Sequence, residues 1–171
     1  MRSLFIKLKI FDLELFSNYY YIKRPTIVEQ ISFNNRTFYA KFERINEPLT
    51  DVLLTQHLRK QYTIALPLLE NNHTNYLLIE YKGKEYQRFY HLIKHLFKTL
   101  KIDNYTIYQG KSVEYLQVFI AVNNLSLADA DAKLQELSCA LESKMVKNWK
   151  CLPSLSLPNA YNIVTLPYKK I

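Results

Sequence analysis

The chain has 171 residues, enough for one domain or one domain with two lobes, and its 49% hydrophobic content supports a sizeable core rather than disorder. Its two glycines argue against a Gly-rich phosphate loop, and neither G-x-G-x-x-G nor G-x-x-x-x-G-K-[ST] occurs. The formal net charge of +8 favours polyanionic partners or simply keeps the chain in solution, and charge alone does not choose between the two.

The N-terminal stretch, Met1 to Phe16, is apolar in places but broken by Lys7, Lys9, Asp12 and Glu14. No small-residue cleavage site follows, so neither a signal peptide nor a membrane span is expected. Ile10, Leu13 and Phe16 predict a short helix over about 10–17. Tyr19-Tyr20-Tyr21-Ile22 reads as extended and ends at Arg24-Pro25, since proline restricts the residue before it. With Lys23 and Arg24, these tyrosines suit either base stacking or a half-buried strand. Residues 27–45 read as a β-hairpin, with Asn34-Asn35 at its turn and Phe38, Ala40 and Phe42 alternating with polar neighbours.

Thr50 is placed to cap a helix reaching about Lys60, with Val52, Leu53 and Leu58 inward. Two strands follow, Thr63 to Leu66 and Tyr76 to Tyr81, the second apolar on both faces and therefore central. The strongest helix signal spans Tyr86 to Leu100, where Phe89, Ile93, Phe97 and Leu100 form one stripe. Strands are predicted near 105–108 and 115–122. Ser126-x-x-Asp129 then opens a second long helix with Leu127, Ala130, Leu134, Leu137, Leu141 and Met145 inward. A Pro- and Ser-rich loop from Cys151 to Pro158 leads to a last strand, Tyr161 to Leu166. Cys139 and Cys151 have no metal or disulfide spacing and read as reduced, partly buried thiols of a cytoplasmic protein. The fold class is mixed α+β, a mixed sheet with packed helices. With no repeat and no long linker, a single domain over 1–171 is expected: a helix and hairpin extension over 1–54 and a core over 55–171.

Four stretches of that core, in order, carry a family likeness. They are Gln56-His57-Leu58 with Ala65-Leu66-Pro67-Leu68-Leu69; Tyr76-Leu77-Leu78-Ile79 ending in Glu80-Tyr81-Lys82; Ser112 to Gln117 running into Val118-Phe119-Ile120; and Asn162 to Leu166-Pro167 after a Pro-containing loop. This pattern resembles the archaeo-eukaryotic primase (prim-pol) superfamily, over about residues 55–168. The chain also resembles a small uncharacterised family of epsilon-type proteobacteria.

The family's D-x-D is Glu80-Tyr81-Lys82 here, its His is Gln117, and its Ser-Gly-x-Gly becomes Ser112-Val113-Glu114-Tyr115. Nucleotidyl transfer needs two divalent ions held by paired carboxylates, which D-x-D supplies because residues i and i+2 project from one strand face. An ammonium at Lys82 repels such ions and is expected to pair with Glu80, either in a degenerate cleft or as a solvated pair at a strand end. Ser112 reads equally as a turn residue. Neither a metal nor a cofactor is expected. The resemblance therefore implies a non-catalytic primase- or polymerase-like domain that binds nucleic acid, single-stranded or primed DNA. Arg88, His91, His95 and Lys98 follow one another at helical spacings of three, four and three. This stripe, extended through Lys84 and Lys82, defines the expected interface: Lys82, Lys84, Arg88, His95 and Lys98. The alternatives are a protein-interaction module on an inactivated enzyme fold, with an unidentified protein as partner, and residual nucleotidyl transfer built on Glu80. No membrane partner is expected.

Overall fold

The computed structural model describes residues 7–171. The elements run β1 (Lys7–Ile10), β2 (Leu13–Phe16), β3 (Tyr20–Lys23), β4 (Glu29–Phe33), β5 (Arg36–Ala40), β6 (Phe42–Ile45), α1 (Asp51–Leu58), β7 (Ile64–Pro67) and β8 (His73–Lys82). There follow α2 (Tyr86–Thr99), β9 (Tyr105–Gln109), β10 (Tyr115–Ser126), α3 (Leu127–Glu142), β11 (Trp149–Leu152), a 3-10 turn (Asn159–Tyr161), β12 (Ile163–Thr165) and β13 (Lys169–Lys170). The protein is mixed α+β, its helices set among antiparallel sheets. The chain forms two compact units, one ending at Asn71 and completed by Leu155–Leu166, the other formed by Asn72–Ser154 and Pro167–Ile171.

The first unit is organised on a four-stranded sheet of order β12-β7-β3-β6. Ile64, Ala65 and Leu66 of β7 are wholly buried, as are Tyr20, Tyr21 and Ile22 of β3 to within a few per cent. The tyrosine segment is thus a core strand rather than a base-stacking surface. Tyr19, at its start, holds the Arg44 guanidinium 3.7 Å from its ring centroid. The helix expected over 10–17 is instead the hairpin β1–β2, in which Ile10 pairs with Leu13. Leu13 and Leu15 are buried and Glu14 is exposed, so the period is two. A spacing of three between Ile10, Leu13 and Phe16 fits a helix face, but Phe11 at φ 53° reverses the chain after Ile10.

The expected hairpin is present as β4–β5, with Phe33 paired to Arg36. Asn34 and Asn35 sit at φ 50° and 60°, the left-handed pair that a two-residue hairpin turn requires. Among the described residues eight positions have positive φ and none is glycine; five are asparagine. Asparagine thus takes over the turn role that a two-glycine chain cannot fill. Lys60 and Lys101 fill it after α1 and α2, where the N–H of the following residue reaches back to Gln56 and Phe97 carbonyls in the six-to-one closure of a helix end.

Thr50 caps α1, its hydroxyl accepting the Leu53 N–H at 3.3 Å. The inward residues differ from expectation: Val52 is 67% exposed and Leu58 is exposed, while His57 is wholly buried. Apolar counting passes over a histidine, yet its ring is satisfied here on both nitrogens. Nδ1 accepts the Ile64 N–H at 3.0 Å, and Nε2 lies 2.9 Å from the Leu166 carbonyl oxygen. The proton therefore sits on Nε2, donating to Leu166.

The second unit has a five-stranded sheet of order β11-β8-β10-β9-β13. On one face Leu77, Ile79, Tyr81, Leu116, Val118 and Ile120 pack with Phe89, Ile93 and Phe97 of α2 and with Ala130, Leu134, Leu137 and Leu141 of α3. Tyr81 stacks on Phe89 with centroids 4.6 Å apart. Both predicted helix stripes are buried, save Leu100, which caps α2 and is 47% exposed. Ser126 caps α3 by accepting the Asp129 N–H. The loop expected from Cys151 begins inside β11, where Trp149 donates to Ser138 Oγ at 2.9 Å. The four residues of β11 do not alternate between buried and exposed, so no period marks this edge strand in the sequence.

The two thiols differ in exposure, against the expectation that both are partly buried. Cys139 is exposed on α3, whereas burial pushes the Cys151 thiol up to about 11. At about pH 8 a disulfide reagent should label Cys139 more than about tenfold faster than Cys151, because the thiolate is the attacking species. Labelling in denaturant should abolish the difference. Equal native rates would show that Cys151 is open.

Candidate functional site

Glu80 and Lys82 project from the same face of β8, the face opposite α2 and α3, as i and i+2 must. Register supplies their neighbours. Gln117 and Tyr115 of β10 stand across from Glu80 and Lys82, and Lys150 of β11 stands across from Glu80 on the other side. Glu80 is only 4% exposed and Gln117 is wholly buried, while Lys82, the last residue of β8, is exposed. Gln117 Nε2 donates to Glu80 Oε1 at a long 3.4 Å. The ammonium 3.7 Å from Glu80 Oε2 is that of Lys150, not foreseen from the sequence, while Lys82 Nζ sits 4.5 Å above the Tyr115 ring. The ion pair at Glu80 is made with Lys150, which β11 places directly across from it.

Ser112 lies in the turn before β10, its carbonyl accepting the Tyr115 N–H at 3.1 Å. The exposed Val113 is on the same turn, and Gly110 closes it by donating to the Tyr115 carbonyl. The Tyr115 hydroxyl is held well above its ordinary range, first by burial and then by the charge and hydrogen bonding of Glu80. The folded state keeps this proton when the unfolded chain has released its own near pH 10. Stability is thus intact below that pH and lost above it, by about 1.4 kcal/mol per pH unit for one tyrosine. Tyr115→Phe should flatten the decline in urea midpoint above about pH 10 by that share. An unchanged slope would mean that the hydroxyl titrates normally.

Of the expected interface residues, Lys82, Lys84, Arg88, His95 and Lys98 are all exposed. They do not share one environment. Arg88 donates to the Lys144 carbonyl at 3.0 Å and lies 3.7 Å from Glu85, at the end of α3. Lys98 instead lines a groove of about 550 Å³ with Tyr90, Lys94, Asp103, Tyr105, Lys170 and Ile171. A second groove of about 480 Å³ runs beside it, lined by Tyr86, Tyr90, His91, Val113, Leu116, Lys169 and Ile171 among others. Tyr90 and Ile171 belong to both. Sequence reading missed Tyr90, Lys94, Lys169 and Lys170; the only available signal was the Tyr90–Lys94 spacing of four, which the structure fills with a 3.2 Å bond from Lys94 Nζ to the phenol oxygen.

Residues 6–75 match a family described as a domain of unknown function, DUF1882. That similarity covers β1 through β7 and the opening of β8, and stops before Glu80. No curated protein matches the chain. Among the described residues no three His, Cys, Asp or Glu side chains group as metal ligands, and no helix is long and apolar enough to cross a membrane.

Proposed function

We propose that this chain is a non-catalytic, prim-pol-like domain of the cytoplasm that binds nucleic acid, single-stranded or primed DNA, through its basic face. The observation that carries the reading is the charge balance around Glu80. A single carboxylate stands between Lys150 at 3.7 Å and Lys82 on the same strand face, so the position attracts phosphate and repels a divalent ion. Exposed Lys84, just before α2, and Arg88 and Lys98 on it extend positive charge along this side, with His95 exposed between them.

Fluorescence anisotropy with a labelled oligonucleotide tests this. Binding should fall steeply with salt, about tenfold or more between 50 and 200 mM for a few phosphate contacts. Lys82→Glu together with Lys84→Glu and Arg88→Glu should weaken it further. Salt-independent or absent binding counts against the reading, and primer extension that Glu80→Gln removes would show that catalysis survives. A protein partner is favoured instead by the exposed Ile27, Val28 and Tyr39. A defined protein captured by the chain that Tyr39→Lys releases, with no oligonucleotide bound, would select that alternative.

A further inference from the structure

We infer that the paired grooves flanking Tyr90, a location separate from the Glu80 position, also seat a single-stranded oligonucleotide, with phosphates over the lysines and a base against the Tyr90 ring; this rests on the nucleic-acid reading above. The first groove is lined by three lysines, Lys94, Lys98 and Lys170, against one acid, Asp103. Lys94 and Lys98 lie one and two turns beyond Tyr90 on α2, so the wall beside the ring is continuously basic. Beside it, β13 pairs with β9, and Lys170 is among the residues lining the first groove and Lys169 among those lining the second. The second groove adds an aromatic and apolar lining, Tyr86, Tyr90, Val113 and Leu116. Val113 and Ile171 are half exposed there.

Charge sets the sign of the ligand, and the lining sets its form. A duplex presents phosphates but stacks its base faces inside, whereas a single strand offers both phosphates and open base faces to tyrosine. Tyr90 is half-buried and Lys94 Nζ lies 5.1 Å from its centroid, so a base stacking on that face would displace the flexible ammonium towards its own phosphate. Neither groove includes Glu80, Lys82, Gln117 or Lys150, which makes the two locations separable by mutation.

The test uses the full chain, a fluorescein-labelled oligothymidylate and a duplex of equal length, with circular dichroism melts of every variant. The single strand should bind more tightly than the duplex. Lys98→Glu and Lys170→Glu should each weaken binding about fivefold, and Tyr90→Leu about tenfold, while Lys133→Glu on α3 stays within about twofold of the parent. Tyr90 also touches the core, so the two exposed lysines keep the test valid if the Tyr90 variant fails to fold. Parent affinity retained in both lysine variants, with the parent still binding DNA, overturns the groove and leaves the broader reading standing. Duplex preferred over single strand also overturns the groove. No binding of any oligonucleotide, or binding of a polyglutamate peptide alone, removes the broader reading and the groove together.

Discussion

Gly110→Ala should be the most damaging single-methyl change in the second unit, lowering stability by about 3 kcal/mol. A Cβ built at this position falls 1.7 Å from Tyr115 Cδ1, 2.3 Å from Cε1 and 2.5 Å from Cγ. Such distances cannot be met by a small adjustment. Either the ring leaves its place or the turn between β9 and β10 opens. Both alternatives are expensive, because Gly110 donates to the Tyr115 carbonyl at 2.8 Å and the ring carries the Lys82 ammonium on its face. Gly110 is not left-handed, so the requirement is for space rather than for backbone freedom. For a chain of this length about 3 kcal/mol corresponds to a melting temperature lower by roughly 6–12 °C. Tyr115→Ala in the same background should recover part of the loss, giving a coupling of about 1 kcal/mol or more in a double-mutant cycle. A Gly110→Ala protein as stable as its parent would mean that Tyr115 is free to occupy another rotamer.

His57→Ala should cost the first unit about 3 kcal/mol, measured as a shift in urea unfolding. Two effects add. The wholly buried ring leaves a cavity, and the Ile64 N–H and Leu166 carbonyl each lose a buried partner, at about 1–3 kcal/mol per group. The ring joins α1 to the first residue of β7 and to the chain just after β12, positions far apart in sequence. His57→Phe separates the contributions, since it fills the volume and supplies neither bond. Most of the loss should persist in His57→Phe. Near-parental stability of that variant would reduce His57 to a space-filler.

The helix-rich parts were legible in the sequence for a local reason. Phe89, Ile93 and Phe97, or Ala130, Leu134, Leu137 and Leu141, mark a buried face by spacing alone, and Ser126 and Thr50 mark helix starts with one side chain each. The hairpin at Asn34-Asn35 was legible for the same kind of reason, a turn chemistry confined to two residues. The segment around Ile10 was not. A spacing of three fits a helix face, the competing alternation spans only Leu13 to Leu15, and the reversal at Phe11 decided for strands.

By itself, the sequence determined the mixed α+β class, the inward stripes of the two long helices, and the common face of Glu80 and Lys82, all of which follow from periodicity along one chain. Tertiary structure alone decided which lysine reaches Glu80, why Tyr115 needs a glycine beneath it, and how His57 comes to be buried. It also brought Lys169 and Lys170 to the grooves that Tyr90 lines. Each of those contacts depends on strand register or on the docking of a distant segment. A buried polar group is stable only when a particular partner arrives, and that partner lies many residues away, where no local pattern records it.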